Sequence, residues 1–344
     1  MKHVLVTGGA GFIGSNFVRY LFRARRGLRV TVLDKLTYAG NLENLADLRS
    51  ARGFRFVRGD ICDARLLDGL LPGIDVVYNF AAETHVDRSI LEGGSFVRTD
   101  VLGTYTILQR SLKHRVGRFV QISTDEVYGS IARGKFREGD PMRPNSPYSA
   151  SKGGGDLLAR SFFKTHGLPA VVTRSSNNYG PYQHPEKFIP LFVTNAIEGK
   201  PLPIYGHGRN VRDWIYVEDN CRAIELAARA GEPGEVYNIG GGEERSNIEI
   251  ARRIVELVGA APELLVHVAD RPGHDRRYAL DCRKIRALGF RPRVGFEEGL
   301  ERTVRWYRRN ESWWRPVKEG RFKRYYARLY RERLRGSDKR KESR

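Results

Sequence analysis

The chain has 344 residues with 60 Lys+Arg against 40 Asp+Glu, a formal net charge of +20, and 40% hydrophobic and 10% aromatic residues. That composition excludes intrinsic disorder over most of its length and suits one large domain or two intimate ones. Its apolar runs are far shorter than the about 20 residues of a membrane span, and three scattered cysteines (Cys62, Cys221, Cys282) make neither a disulfide scaffold nor a zinc module.

The chain begins directly on a strand pattern, Met1-Lys2-His3-Val4-Leu5-Val6, which contains no cleavable signal. A cytoplasmic location is expected. Short β-branched runs predict strands at 3–7, 29–34, 54–58, 75–80, 117–123 and 169–173. Helix-period stretches at 12–25, 63–71, 95–114 and 148–166 separate them. This alternation predicts an α/β fold, a Rossmann-type doubly wound parallel sheet. Beyond residue 175, Pro and Gly break the pattern, and helices are expected near 187–198, 217–230, 246–259 and 297–310. The expected organisation is a dinucleotide-binding domain over 1–175 and a smaller C-terminal α/β lobe over 176–335, with some interleaving. Residues 336–344 (GSDKRKESR) read as a solvated, disordered basic tail whose removal should leave turnover intact.

The first predicted strand runs into Thr7-Gly8-Gly9-Ala10-Gly11-Phe12-Ile13-Gly14. Gly9, Gly11 and Gly14 fit G-x-G-x-x-G, and Gly8, Gly11 and Gly14 fit the related G-x-x-G-x-x-G. Glycines let the backbone approach a pyrophosphate, whose charge then sits at a helix N-terminus. Asp34 ends the next predicted strand 20 residues on. Its carboxylate can accept from ribose hydroxyls and repels a 2′-phosphate, so NAD is the expected cofactor rather than NADP. Lys35 beside it works the other way, because a cation could hold that phosphate. Asp60-Ile61 and Ala81-Ala82 follow the third and fourth strands, where they would reach the adenine and let backbone pass close to the cofactor; the pattern alone also allows ordinary loops.

Thr124-Asp125-Glu126 follows the fifth strand. Adjacent carboxylates there either cap a solvated turn or occupy different environments, one neutral and one ionised, as an elimination requires. Tyr148 and Lys152 stand four apart at a helix start, roughly 6 Å along the axis and on one face. An ammonium so placed lowers a tyrosine pKa, letting the phenol take a proton from a sugar alcohol. Such a pair is common by chance on helix surfaces; the dinucleotide loop in the same chain gives it meaning.

These residues carry a resemblance. Over roughly residues 2–315 the chain resembles the extended short-chain dehydrogenase/reductases, and among them the dTDP-glucose 4,6-dehydratases. The matching blocks are Thr7–Asn16, Asp34–Leu45, Ser123–Gly129, Tyr148–Lys152, Arg174–Glu186, Asn210–Asp219 and Asp270–Arg277. The Asp125-Glu126 pair is the discriminating one, since family epimerases and decarboxylases usually lack this Asp.

The resemblance implies a lyase with no net redox change. Tyr148, helped by Lys152 and Thr124, would take the C4 hydroxyl proton as hydride passes to NAD. Glu126 would then remove the C5 proton, while protonated Asp125 protonates the departing C6 hydroxyl. Hydride return to C6 and a proton to C5 leave a 4-keto-6-deoxy sugar. The resemblance also places Gly8, Gly11, Phe12, Ile13, Gly14, Asp34, Lys35, Leu36, Thr37, Asp60, Ile61, Ala81, Ala82, Thr99, Tyr148, Lys152 and Asn178 around NAD. Around the nucleotide-sugar it places His85, Thr124, Asn177, Lys187, Phe188, Pro203, Tyr205, Arg212, Asn247, Arg271 and His274. Arg212 suits a diphosphate, although it could instead pair with Asp213 or Asp219, and the two histidines could be ordinary surface residues. No metal is implied. Relatives of this kind dimerise through the helices near 96–113 and 148–166, so a homodimer is expected.

One departure is Gly153-Gly154-Gly155, where such proteins mainly carry alanine. Either the helix is loosened there or a group approaches its backbone closely; the expectation is a weakened helix that still positions Lys152.

Two other readings remain at this point. One is a UDP-sugar 4-epimerase or decarboxylase of the same fold. The other is a non-catalytic, dinucleotide-sensing protein that binds nucleic acid. Of the net charge, +11 lies in residues 305–344, among Trp306, Trp313, Trp314, Phe322, Tyr325, Tyr326 and Tyr330. Small anionic ligands plus a solvated tail explain the excess better than nucleic acid does.

Overall fold

The structure, a computed structural model, describes residues 1–270, 274–320 and 326. Strands β1 (His3–Thr7), β2 (Arg29–Asp34), β3 (Phe54–Arg58), β4 (Val76–Asn79), β5 (Arg118–Thr124) and β6 (Ala170–Ser175) stand within two residues of their predicted places. All run parallel in one seven-stranded sheet of order β10-β6-β5-β4-β1-β2-β3, with β10 at Val236–Ile239, giving the Rossmann-type architecture. Apolar side chains on both faces explain why β1 can lie at the centre. Val4 and Val6 pack with Phe17 and Leu21 on one side, and Leu5 packs with Leu33, Leu67 and Phe119 on the other.

The seventh strand was not predicted. Strand β10 (Val236–Ile239) pairs with β6, Val236 against Val172 and Ile239 against Ser175. The chain therefore returns to the first sheet after building part of the second lobe. That lobe holds β7 (Asn177–Tyr179), β9 (Val211–Tyr216) and β11 (Glu244–Ser246) in one small sheet, and β8 (Leu202–Tyr205) with β12 (Leu265–Val268) in another.

The helices of the first half are α1 (Phe12–Ala24), α2 (Ala64–Leu70), α3 (Val86–Leu91), α4 (Gly94–Phe96), α5 (Thr104–Lys113) and α6 (Pro147–His166). A π-helical stretch, Val97–Gly103, joins α4 to α5 where an unbroken α-helix over 95–114 was expected. The second half adds α7 (Phe188–Ile197), α8 (Val217–Ala230), α9 (Asn247–Val258), α10 (Arg283–Ala287), α11 (Phe296–Arg309) and α12 (Glu311–Glu319). Helices α7, α9, α11 and α12 enclose a second core around Phe192, Ile254, Leu300 and Trp314.

Helix α6 is well terminated despite its three glycines. Ser146 and Ser149 form a reciprocal capping box, Pro147 occupies the first turn, and Gly167 closes the helix in the left-handed conformation. Tyr148 is thus held in the first turn and Lys152 one turn later, facing the C-terminal end of β5. Strand order reverses between β1 and β4, and ligands in open α/β sheets bind outside the carboxyl ends of the strands at such a point.

Candidate active site

Two cavities meet at this edge. The first runs along the glycine loop and is lined by Gly8, Gly11, Phe12, Ile13, Gly14, Asp34, Lys35, Thr37, Asp60, Ile61, Ala81, Ala82, Thr99, Tyr148 and Lys152. The second, below α7, is lined by His85, Glu126, Asn177, Lys187, Phe188, Pro203, Tyr205, Arg212, Asn247 and His274. Lys187 lines both. All seven matching blocks, together with residues between them, therefore contribute to two adjoining spaces.

The loop is built for close approach. Gly8 has φ +65°, and a Cβ there would stand 2.6 Å from the Ala81 nitrogen; one on Gly14 would stand 2.3 Å from the Gly8 carbonyl oxygen. Gly11 precedes α1 without any side-chain cap, so the first N–H groups of α1 face a cradle that only an external acceptor fills. Asp34 is buried, accepting from Ala10 N at 2.9 Å and Leu36 N at 2.8 Å. Burial raises its carboxyl, while those two N–H groups oppose the rise. These features fit a dinucleotide.

Lys35 forms a 2.8 Å ion pair with Asp60. The one cation that weakened the case against NADP is thus engaged by a carboxylate. Burial would raise the Asp60 carboxyl, but Lys35 and the Cys62 N–H hold it below its usual value.

Two residues expected at the cofactor stand apart from this lining. Leu36 acts through its backbone on Asp34 and packs against the core. Asn178 donates to the Ser176 carbonyl at 2.9 Å and is not among the lining residues. Arg271 and the tail 336–344 lie outside the described residues.

Thr124, at the end of β5, accepts from Glu126 N at 3.2 Å and donates to Asp125 Oδ1 at 3.2 Å. Asp125 is 2% exposed, and among the described residues its Oδ2 has no hydrogen-bond partner. Burial first, then the Glu126 charge, pushes its carboxyl well above the usual range, with Arg212 opposing. Glu126, one residue on, lines the second cavity. The two carboxyls thus occupy different environments, as the sequence argument required of an acid and a base.

The expectation for Tyr148 needs correction. Burial raises its phenol well above the ordinary value, and Glu126, Asp100 and Asp125 add to the rise; a bond with Thr124 opposes it. The Lys152 ammonium donates to the Ile122 carbonyl at 2.6 Å instead of dominating the phenol. Burial lowers Lys152, and Asp100 and Asp156 partly restore it.

Arg212 is 5% exposed, donates to the carbonyls of Val211 (2.8 Å) and Asp275 (2.9 Å), and stacks 4.3 Å over Tyr278. The alternative pairings are taken by other groups. Asp213 accepts from Gly242 N and Glu243 N, and Asp219 binds Arg222. Arg212 thus keeps its charge for an anion in the cavity. His274 bonds Asp270 at 2.6 Å and sets its ring edge-on to Tyr205, and His85 starts α3 at φ +133°.

Several participants escaped the sequence reading. His184 lines the first cavity and is pushed down to about 3 by burial and by the Arg88 and Lys187 charges. Asp100, in the π-helical stretch, accepts from Ser151 Oγ at 2.6 Å and Glu83 N at 3.0 Å; burial raises its carboxyl to about 6. Tyr278 and Asp87 line the second cavity. A buried carboxylate in a helical pattern, as at Asp100, was the available signal.

The sequence profile of the family described as GDP-mannose 4,6 dehydratase matches residues 5–303. A dTDP-glucose 4,6-dehydratase of Streptomyces niveus is 57% identical over 320 residues, which are 92% of this chain and 95% of that protein. The crystal structure of DesIV, a dTDP-glucose 4,6-dehydratase from Streptomyces venezuelae with NAD and TYD bound, superposes with a TM-score of 0.90. It is 54% identical, and the match covers 92% of this chain and 100% of that one. A UDP-glucose 4-epimerase of Thermus thermophilus, in complex with NAD, is 34% identical with a TM-score of 0.82, covering 89% of this chain and 99% of that one.

Proposed function

Because the chain belongs to the 4,6-dehydratase family of nucleotide-sugar enzymes, we propose that it dehydrates dTDP-D-glucose to the 4-keto-6-deoxy nucleotide-sugar, an NAD-dependent hydro-lyase step of deoxysugar biosynthesis. The observation that carries this reading is the buried Asp125, with its unpartnered Oδ2, next to Glu126 on the wall of the second cavity. An epimerase needs no acid and base at neighbouring carbons.

The glycine cradle, Asp34 and Asp60 would hold NAD, which when bound supplies a hydride acceptor first and a hydride donor last. Arg212, fixed by backbone carbonyls and Tyr278, holds the diphosphate of the substrate. Tyr148 takes the C4 hydroxyl proton, with Thr124 sharing the phenol's hydrogen bond and the Lys152 ammonium limiting the cost of the phenolate. The resulting ketone acidifies C5–H. Glu126 removes that proton, and Asp125, kept neutral by burial, delivers its own proton to the departing C6 hydroxyl.

We further infer a homodimer. Val97, Leu102, Tyr105 and Leu157 expose apolar surface on the stretch from Val97 through α5 and on α6, and Leu157 is 52% exposed. Replacing Leu157 by Glu should shift the protein to monomer in sedimentation. Among the described residues no helix is long and apolar enough to cross a membrane, and a cytoplasmic location suits a nucleotide-sugar and a dinucleotide.

The deciding experiment is incubation with dTDP-glucose, reading the alkali-induced absorbance of the 4-keto product. Solvent deuterium at C5 with loss of the C6 hydroxyl distinguishes dehydration from epimerisation. No product with any nucleotide-glucose would reject the proposal.

A further inference from the structure

The residue at the centre of the glycine loop, Ala10, has little of its own to hold it. Its neighbours Gly9 and Gly11 have no side chains, yet its peptide groups are fixed on both sides. The Ala10 N–H donates to Asp34 Oδ2 at 2.9 Å. Its carbonyl accepts from Asn44 Nδ2 at 2.8 Å and from Asn41 N at 3.1 Å. Asn44 is 2% exposed, and its other amide atom, Oδ1, accepts from the indole Nε1 of Trp313 at 2.8 Å. Trp313 lies 269 residues away, on α12 of the second lobe.

The indole is itself held in place. Its ring stands 5.1 Å from Trp306 and edge-on to Tyr182 at 5.8 Å, and Arg19 stacks 4.0 Å over Tyr182. Arg19 also donates to the Asn44 carbonyl. A hydrogen-bonded line therefore runs from the C-terminal helix through one buried amide to the loop, and on to the carboxylate at the end of β2. Packing alone would seat α12 without this line, because Trp314 of the same helix is fully buried in the second core and donates its indole N–H to the Tyr307 carbonyl at 2.8 Å.

We propose that Trp313 is a positioning residue for the dinucleotide site, acting through Asn44 to fix the Ala10 peptide and thereby the Asp34 carboxylate. The second lobe then does more than bind the sugar nucleotide. It also stiffens the loop on which the cofactor rests, so that cofactor retention depends on a residue of the second lobe. The inference rests on the NAD-dependent reading above.

The test uses the full-length chain stripped of cofactor, with NAD and dTDP dissociation constants measured by calorimetry alongside Tm. Trp313→Phe keeps an aromatic ring and removes the indole donor together with part of the ring, and Trp306→Phe controls for that loss of ring. Trp313→Phe should raise the NAD Kd about five-fold, the worth of one hydrogen bond, and leave the dTDP Kd unchanged. Trp306→Phe, which disturbs the same aromatic cluster, should leave the NAD Kd at the wild-type value. Asn44→Ala should weaken NAD further, and adding Trp313→Phe to it should then change nothing more. An unchanged NAD Kd in Trp313→Phe, equal losses in the two Trp variants, or additive losses in the double variant would overturn the proposal. A wild-type chain that binds no NAD would overturn the functional reading itself, and this inference with it.

Discussion

A Cβ built on Gly155 would stand 2.7 Å from the carbonyl oxygen of Asp100, so helix α6 crosses the π-helical stretch at a distance that only glycine permits. The glycine run is therefore not simply a weakened helix. A Cβ on Gly153 would meet nothing nearer than 3.9 Å, and one on Gly154 would press on Val101 at 3.0 Å. Three adjacent glycines answer to three different environments.

Single substitutions should separate them. Gly153→Ala should stabilise the fold by about 1 kcal/mol through helix propensity. Gly155→Ala should destabilise it by about 1–3 kcal/mol through overpacking against backbone that cannot withdraw. Denaturant midpoints measure both, and a stabilising Gly155→Ala would refute the close contact.

Asp125 sets a pH dependence with a definite sign. Its folded-state pKa is raised by burial, so its stabilising contribution is complete below the unfolded value and is lost as pH rises through the folded one. Asp125→Asn should flatten that decline and make the variant relatively more stable at alkaline pH. Turnover should fall by about 10²–10⁴-fold as the proton donor is lost. Melting curves across pH, read beside product formation, check both halves.

Asp100 should matter to catalysis without touching substrate. Its charge helps keep the buried Lys152 protonated. Asp100→Asn should lower the Lys152 pKa further and move the alkaline limb of kcat to lower pH. Because burial raises the Asp100 carboxyl to about 6, wild-type stability should decline relative to the variant as pH climbs through that value from the unfolded one near 3.8. A pH-rate profile with an unmoved alkaline limb would rule this coupling out.

Arg212 is stacked and held by carbonyls that expect a planar fork. Arg212→Lys should raise KM about ten-fold with kcat little changed, since bidentate phosphate recognition is lost while the reacting carbons are untouched. An equal loss in kcat would assign Arg212 to the chemistry instead.

The sequence by itself determined what is local. Runs of β-branched residues placed six strands, since a buried parallel strand needs apolar side chains on both faces. The glycine spacing marked the cradle, and the four-residue step from Tyr148 to Lys152 put both on one helical face. Matching of motifs extended this to most of both cavity walls. Tertiary structure decided the rest. Strand β10 joins the sheet at the edge of β6, a pairing that the run Val236-Tyr237-Asn238-Ile239 does not by itself announce. The sequence reading required one neutral and one ionised member in the Asp125-Glu126 pair; burial, which depends on the whole fold, shows how Asp125 can be the neutral one. The same holds for Tyr148, whose phenol rises first through burial and then through the charges of Glu126, Asp100 and Asp125. Charge state and hydrogen-bond partner are set by neighbours in space, and those are the properties on which this chemistry turns.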